Sequence, residues 1–181
     1  MGFVEAEQLS SFSFDGVRRG LGIHPETLSR ALGRLEEDGY LTKTEAGYAV
    51  SKDVREGNLS VLPRETVPLM QTLLPKEFQI DELLSRMSGS WFGKLRWLGL
   101  SRTEYETVLT WITDSGGVLV RAKFGQDELR VEARLREGTG LNEAIRSSYE
   151  LLGHLSRLFT RPGSRLLAYR VFGTADSSQN M

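Results

Sequence analysis

The sequence predicts an α+β chain in two parts: an N-terminal helix-turn-helix carrying a β-hairpin, and a C-terminal antiparallel sheet packed with a long amphipathic helix. Three observations lead to it. A helix is punctuated at both ends, by Pro25 at its first position and Gly39 just beyond its last. Four β-rich runs succeed one another between residues 94 and 136 with only short connections. From Leu141 to Phe159 the apolar spacing then becomes helical.

The first helix to justify runs from Pro25 to about Asp38. Proline is tolerated at its start because the missing N–H has no intrahelical partner there, and Gly39 suits a left-handed C′ position. Leu28, Ala31, Leu32 and Leu35 recur three and four residues apart, so they are expected to form one buried stripe. Glu26, Thr27, Arg30, Gly33 and Arg34 then face outward. Upstream, Phe14, Val17 and Leu21 lie on one side of a short helix, and Gly20, Gly22 and Ile23 supply a tight turn before Pro25. Downstream, Tyr40 to Thr42 and Tyr48 to Val50 are strand formers separated by the polar segment Lys43 to Gly47.

The order of residues in HPETLSRALGRLEEDGYL resembles the winged helix-turn-helix domains of bacterial and archaeal transcriptional regulators, the broad group that includes the MarR-like repressors. The resemblance covers roughly the first third of the chain. It implies double-stranded DNA as partner, with helix 25–38 reading the major groove and the hairpin 40–50 as the wing. His24, Glu26, Thr27, Ser29 and Arg30 would begin the recognition helix with Arg34 further along, and Lys43 and Thr44 would reach phosphate or the minor groove from the wing tip. Arg30 suits base reading, since arginine donates two hydrogen bonds to guanine. Arg18 and Arg19 on the preceding helix extend the basic set. Such regulators commonly read palindromes as twofold dimers, so a homodimer is expected. The first helix of the usual trihelical core must come from about Val4 to Ser11 or be lost.

Charge argues the other way. Residues 1–55 hold seven Lys and Arg against nine Asp and Glu, a net charge of −2, where a basic footprint is the norm. The rest of the chain has 16 basic and 15 acidic residues and supplies no compensating tail. The alternative function is therefore a winged-helix module docking on a protein of the transcription or replication machinery, with Arg30 and Arg34 paired to Glu26, Glu37 or Asp38.

The organisation expected is a DNA-binding domain over 1–55, a connector over 56–76, an α+β dimerisation or ligand-sensing domain over 77–175, and a disordered tail over 176–181. Pro63, Pro68 and Pro75 mark the connector, although Val67 to Leu74 is apolar. In the second domain a helix near Gln79 to Met87 precedes strands at 94–100, 104–113, 118–124 and 128–136. Turns fall at Ser115-Gly116-Gly117 and Gly125-Gln126-Asp127. In the last of these strands Leu129, Val131, Ala133 and Leu135 alternate with charged residues, so one face is buried. Ile145, Tyr149, Leu152, Leu155 and Phe159 give the C-terminal helix its apolar stripe, and Arg165 to Phe172 suits a final strand. Trp91, Trp97, Trp111 and Phe124 are candidates for a pocket taking a small-molecule effector, with core filling as the ordinary alternative.

The 181 residues, 39% of them hydrophobic, suffice for real cores. No apolar run reaches the length of a membrane span and MGFVEAEQLS lacks a signal-peptide pattern, so a cytoplasmic protein without membrane contact is expected. The absence of cysteine removes disulfides and thiolate chemistry. His24 and His154 stand far apart with no HExxH, phosphate loop or nucleophile elbow. No cofactor, metal or catalysis is therefore expected.

Overall fold

The computed structural model describes residues 2–51, 66–74, 78–159 and 169–171. Among the described residues five helices and nine strands follow in order: α1 (Gly2–Ala6), β1 (Ser11–Phe12), α2 (Phe14–Leu21), α3 (Pro25–Glu37), β2 (Leu41–Thr44), β3 (Gly47–Val50), β4 (Thr66–Leu73), α4 (Ile80–Met87), β5 (Leu95–Arg102), β6 (Thr107–Thr113), β7 (Val118–Phe124), β8 (Glu128–Leu135), α5 (Leu141–Phe159) and β9 (Tyr169–Val171). The α+β class is as expected. All nine strands form one antiparallel sheet in the order β2-β3-β1-β5-β6-β7-β8-β4-β9.

Strand β1 joins the two halves of that sheet. Ser11 and Phe12 pair with Ala49 and Tyr48 of β3 on one side and with Leu100 and Gly99 of β5 on the other. Close approach is possible because Gly99 has no side chain: a Cβ there would lie 2.1 Å from the Ser11 carbonyl oxygen. A bulge between Trp97 and Gly99 adds Leu98, which fills the N-terminal core while Trp97 and Leu100 serve the core on the opposite face.

Two cores result, one on each side of the sheet. Val4, Phe12, Val17, Leu28, Leu32, Leu41 and Val50 meet Leu98, Ile112 and Leu119 of the central strands. On the other face α4 and α5 cover Trp97, Leu109, Trp111, Val120, Ala122, Leu129 and Val131. Strand β6 is buried at all seven positions because both of its faces are covered.

Several expectations are corrected. The connector contains an eight-residue strand, since Thr66 to Leu73 pairs along β8 and places Leu69 and Met70 in the core. Pro68 is accommodated because it stands exposed beside a bulge. In α3, Ala31 is exposed and the buried line is Leu28 and Leu32 with Leu35 partly covered. In α5 the buried line is Ala144, Ser147, Ser148, Leu151 and Leu155, and Tyr149 is 54% exposed. The two serines displace the apparent stripe because their small side chains permit close packing, with Ser148 Oγ donating to the Ile145 carbonyl. The segment Val4 to Ser11 is helical only at its start, α1 ending at Ala6. Of the expected final strand, Tyr169–Val171 pairs with β4; the tail 176–181 lies outside the described residues.

Ionic contacts fasten the halves further. Arg134 donates to Glu7 at 2.9 Å across a largely buried junction, and Arg19 stands 3.8 Å from Asp114 in the β6–β7 turn. Arg121, buried on the same sheet face as Arg134, has its pKa lowered by burial and by the Arg134 charge, with Glu132, Glu7 and Glu106 opposing.

Helix α2 lies directly on β5, where a Cβ on Gly16 would meet Leu98 Cα at 2.6 Å and the Trp97 carbonyl at 2.7 Å. Ser13 caps this helix by accepting from Gly16 N–H and also donates to the Trp97 carbonyl at 2.7 Å. Replacing Gly16 by Ala should cost about 1–3 kcal/mol from overpacking. Gly33→Ala, at a helical position with no atom within 4 Å of the added Cβ, should instead stabilise by roughly 0.5–1 kcal/mol from propensity. Urea denaturation of both variants distinguishes a packed junction from a loose one by the opposite signs.

Candidate nucleic-acid interface

Helix α3 begins with His24 as its N-cap, whose Nδ1 accepts from Glu26 N–H at 3.3 Å, followed by Pro25 in the first turn. His24 is thus tied into starting the helix as well as being exposed at its tip. With Leu28 and Leu32 turned into the core, the 3.6-residue period sets Thr27, Arg30 and Arg34 along one outward side. All three are exposed. Ser29 is exposed on the opposite flank, nearer Glu36.

Arg30 donates to Glu26 at 2.5 Å, one turn earlier, and both side chains are more than 60% exposed, at 74% and 64%. Arg34 makes no ion pair among the described residues, and its carbonyl accepts from Asp38 N–H at the helix end. The acidic residues Glu36, Glu37 and Asp38 gather at that end. Beside α3 the hairpin β2–β3 projects Lys43 and Thr44 into solvent, with Leu41 alone of β2 buried.

The remaining basic candidates are placed differently. Arg18 is partly exposed on α2 and pairs with Asp15 at 3.3 Å. Arg19 turns toward the sheet, its side chain 19% exposed beside Asp114, so it serves the junction between the halves rather than the α3 surface. Sequence spacing could not separate the two, because the partner of Arg19 lies 95 positions away.

Trp91, Trp97, Trp111 and Phe124 stand in different surroundings. Trp97 and Trp111 pack edge to face at 5.3 Å inside the core, and Trp111 Nε1 donates to the Ser90 carbonyl at 3.3 Å. Phe124 stacks on Phe78 at 5.6 Å. Trp91 is exposed and carries Arg96 over its ring at 4.7 Å. Core filling accounts for the three buried rings.

His154 lies on α5 with its ring 4.4 Å from that of Phe92. Among the described residues no group of three or more His, Asp or Glu stands close enough to hold a metal ion, and no helix is long and apolar enough to cross a membrane. Comparisons with protein-family models, with curated proteins and with solved structures returned no match.

The cap is the most local determinant of the α3 tip. His24→Ala should lose about 1 kcal/mol of helix stabilisation, and His24→Asp should retain or exceed the natural value. Amide hydrogen exchange at Glu26 and Thr27 reads the change directly, as faster exchange in the alanine variant only.

Proposed function

We propose that this protein is a DNA-binding transcriptional regulator whose N-terminal part is a winged helix-turn-helix. The single observation that carries the reading is the exposed side of α3, where Thr27, Arg30 and Arg34 are presented one or two turns apart next to an exposed hairpin bearing Lys43 and Thr44. The supporting architecture is helix, short strand, two helices and hairpin, with the short strand pairing against the second hairpin strand. Such a helix fits the major groove, where an arginine can hold guanine O6 and N7 while hydroxyls and lysine hold phosphates. Arg34, free of an ion pair among the described residues, joins Arg30 as a base-reading candidate.

The remainder of the chain supplies dimerisation and response in this reading. A homodimer presents two α3 helices to successive half-sites, about 34–36 Å or a multiple apart on one side of the duplex. The protein acts in the cytoplasm as a binding protein without catalytic function.

A second reading, docking on another protein, is favoured by the Glu26–Arg30 pair and the acidic cluster at the end of α3. Salt-dependent anisotropy separates the two. With duplex from the gene's own upstream region, the DNA reading expects tight binding whose logarithm falls linearly with that of salt concentration. Arg30→Ala with Arg34→Ala should weaken it by about 10–100-fold, the loss expected for a good base contact of ~1–3 kcal/mol, with unchanged circular dichroism. No binding at low salt by a folded protein would discard this reading in favour of the protein partner.

A further inference from the structure

A cleft of about 300 Å³ opens where the two halves meet, between α1, the end of α2 and the β6–β7 and β8 ends of the sheet. Its walls have two characters. Phe3, Ile112 and Leu119 are apolar, whereas Arg134 and Arg136 line the same space with charged side chains. Phe3 is held in place against the backbone of Gly20, where a Cβ would fall 2.3 Å from its ring.

The arginines are incompletely used. Arg134 spends one nitrogen on Glu7 at 2.9 Å, but its Nε is buried with no hydrogen-bond partner. Arg136 is exposed and reaches the Gly20 carbonyl at 3.3 Å, a long contact that leaves its remaining donors available. At the margin Arg19, whose carbonyl lies beside Gly116 in the cleft wall, also has a buried Nη1 without a partner. A buried donor left unsatisfied costs free energy, and an anionic oxygen is the group that satisfies guanidinium donors best.

We propose that this cleft binds a small organic monocarboxylate, its acid group on Arg136 and Arg134 and its apolar body on Phe3, Ile112 and Leu119. Two features select this class. The volume is that of a small-molecule site and its apolar wall needs a hydrocarbon or aromatic partner, which a bare inorganic ion lacks. Glu7 already pairs with Arg134 and Glu137 also lines the cleft, so the positive charge left over suits a single carboxylate better than a doubly charged phosphate monoester. The site stands independently of the nucleic-acid reading. Because Arg136 also holds the last turn of α2, ligand and helix draw on the same side chain.

The test uses the full chain, 1-naphthylacetate as probe and its neutral analogue 1-naphthaleneethanol, followed by ¹H–¹⁵N NMR at Gly116, Gly117 and Leu135. The acid should give saturable shifts at these amides, and the alcohol should bind at least about tenfold more weakly, the ratio for one charge-assisted contact. Arg136→Gln, an exposed change, should weaken the acid by a similar factor without affecting the fold. No shift up to about 5 mM, where even a ~4 kcal/mol interaction approaches saturation, would overturn the proposal. Equal binding of acid and alcohol, or unchanged binding in a folded Arg136→Gln protein, would overturn it as well.

Discussion

The structure depends on the two-residue strand β1. A central strand hydrogen-bonds on both edges, and here Ser11 and Phe12 do so between β3 of the N-terminal part and β5 of the C-terminal part. The backbone contacts continue beyond the strand itself: Ser10 N–H donates to the Leu100 carbonyl at 2.8 Å, Ser13 N–H to the Leu98 carbonyl at 2.7 Å, and Val50 N–H to the Ser10 carbonyl at 2.9 Å. Phe12, 1% exposed and stacked on Tyr48 at 5.7 Å, buries the same joint. Two elements that the sequence presents as separate domains are therefore fused through one sheet. An inter-domain linker tolerates relative motion, whereas a shared sheet resists it, since every change of angle must break ladder bonds and open a core.

On the proposed reading, that constraint shapes any route by which a ligand would affect DNA binding. Independent swinging of the α3 unit on a loose tether does not fit a chain in which α2 rests on β5 without room for a Cβ and Glu7 is buried against Arg134. Small shifts at the junction are the available currency. Those near Arg19, Gly20 and Arg136 lie at the end of α2, one tight turn before α3. In the proposed dimer, a slight rotation of each rigid protomer would alter the spacing of the two α3 helices more than deformation within either one.

Local signals made much of the fold legible in the sequence. Pro25 and Gly39 bounded α3 to within about two residues, Gly116 and Gly117 located a hairpin turn, and the alternation in β8 identified the buried Leu129, Val131 and Ala133. What was not legible depended on distant partners. The prolines concealed β4, because a bulge and an exposed position can accommodate Pro68 and only the pairing with β8 reveals them. The stripe of α5 was misjudged because hydrophobicity marked Tyr149 as core, whereas packing closeness selected Ala144, Ser147 and Ser148. Residues of the candidate site divided in the same way: exposure of Thr27, Arg30 and Arg34 followed from helical period, whereas the engagement of Arg19 by Asp114 required the tertiary fold. The cleft arginines had no local signature at all, Arg134 and Arg136 reading simply as the wet face and end of a strand.

The acidity of the N-terminal part weighs less against DNA than its net charge suggests. An exposed pair at i and i+4 contributes only about 0.3–0.5 kcal/mol, so releasing Arg30 from Glu26 to meet a base edge or phosphate costs little beside a bidentate guanine contact of ~1–3 kcal/mol. Glu37 lies seven residues beyond Arg30, roughly 10 Å along the helix axis. That is about the Debye length at physiological salt, so its repulsion of a phosphate at the α3 tip is largely screened. Glu7, counted among the acids, is buried against Arg134 and does not contribute an open charge to the α3 surface. Once position replaces composition, the groups a duplex lying against α3 and the hairpin would meet are Thr27, Arg30, Arg34, Lys43 and Thr44; Glu26 is paired with Arg30 and Glu37 is a screening length from it, so the opposing acids that remain close are Glu45 beside Thr44 and Glu36 to Asp38 beside Arg34.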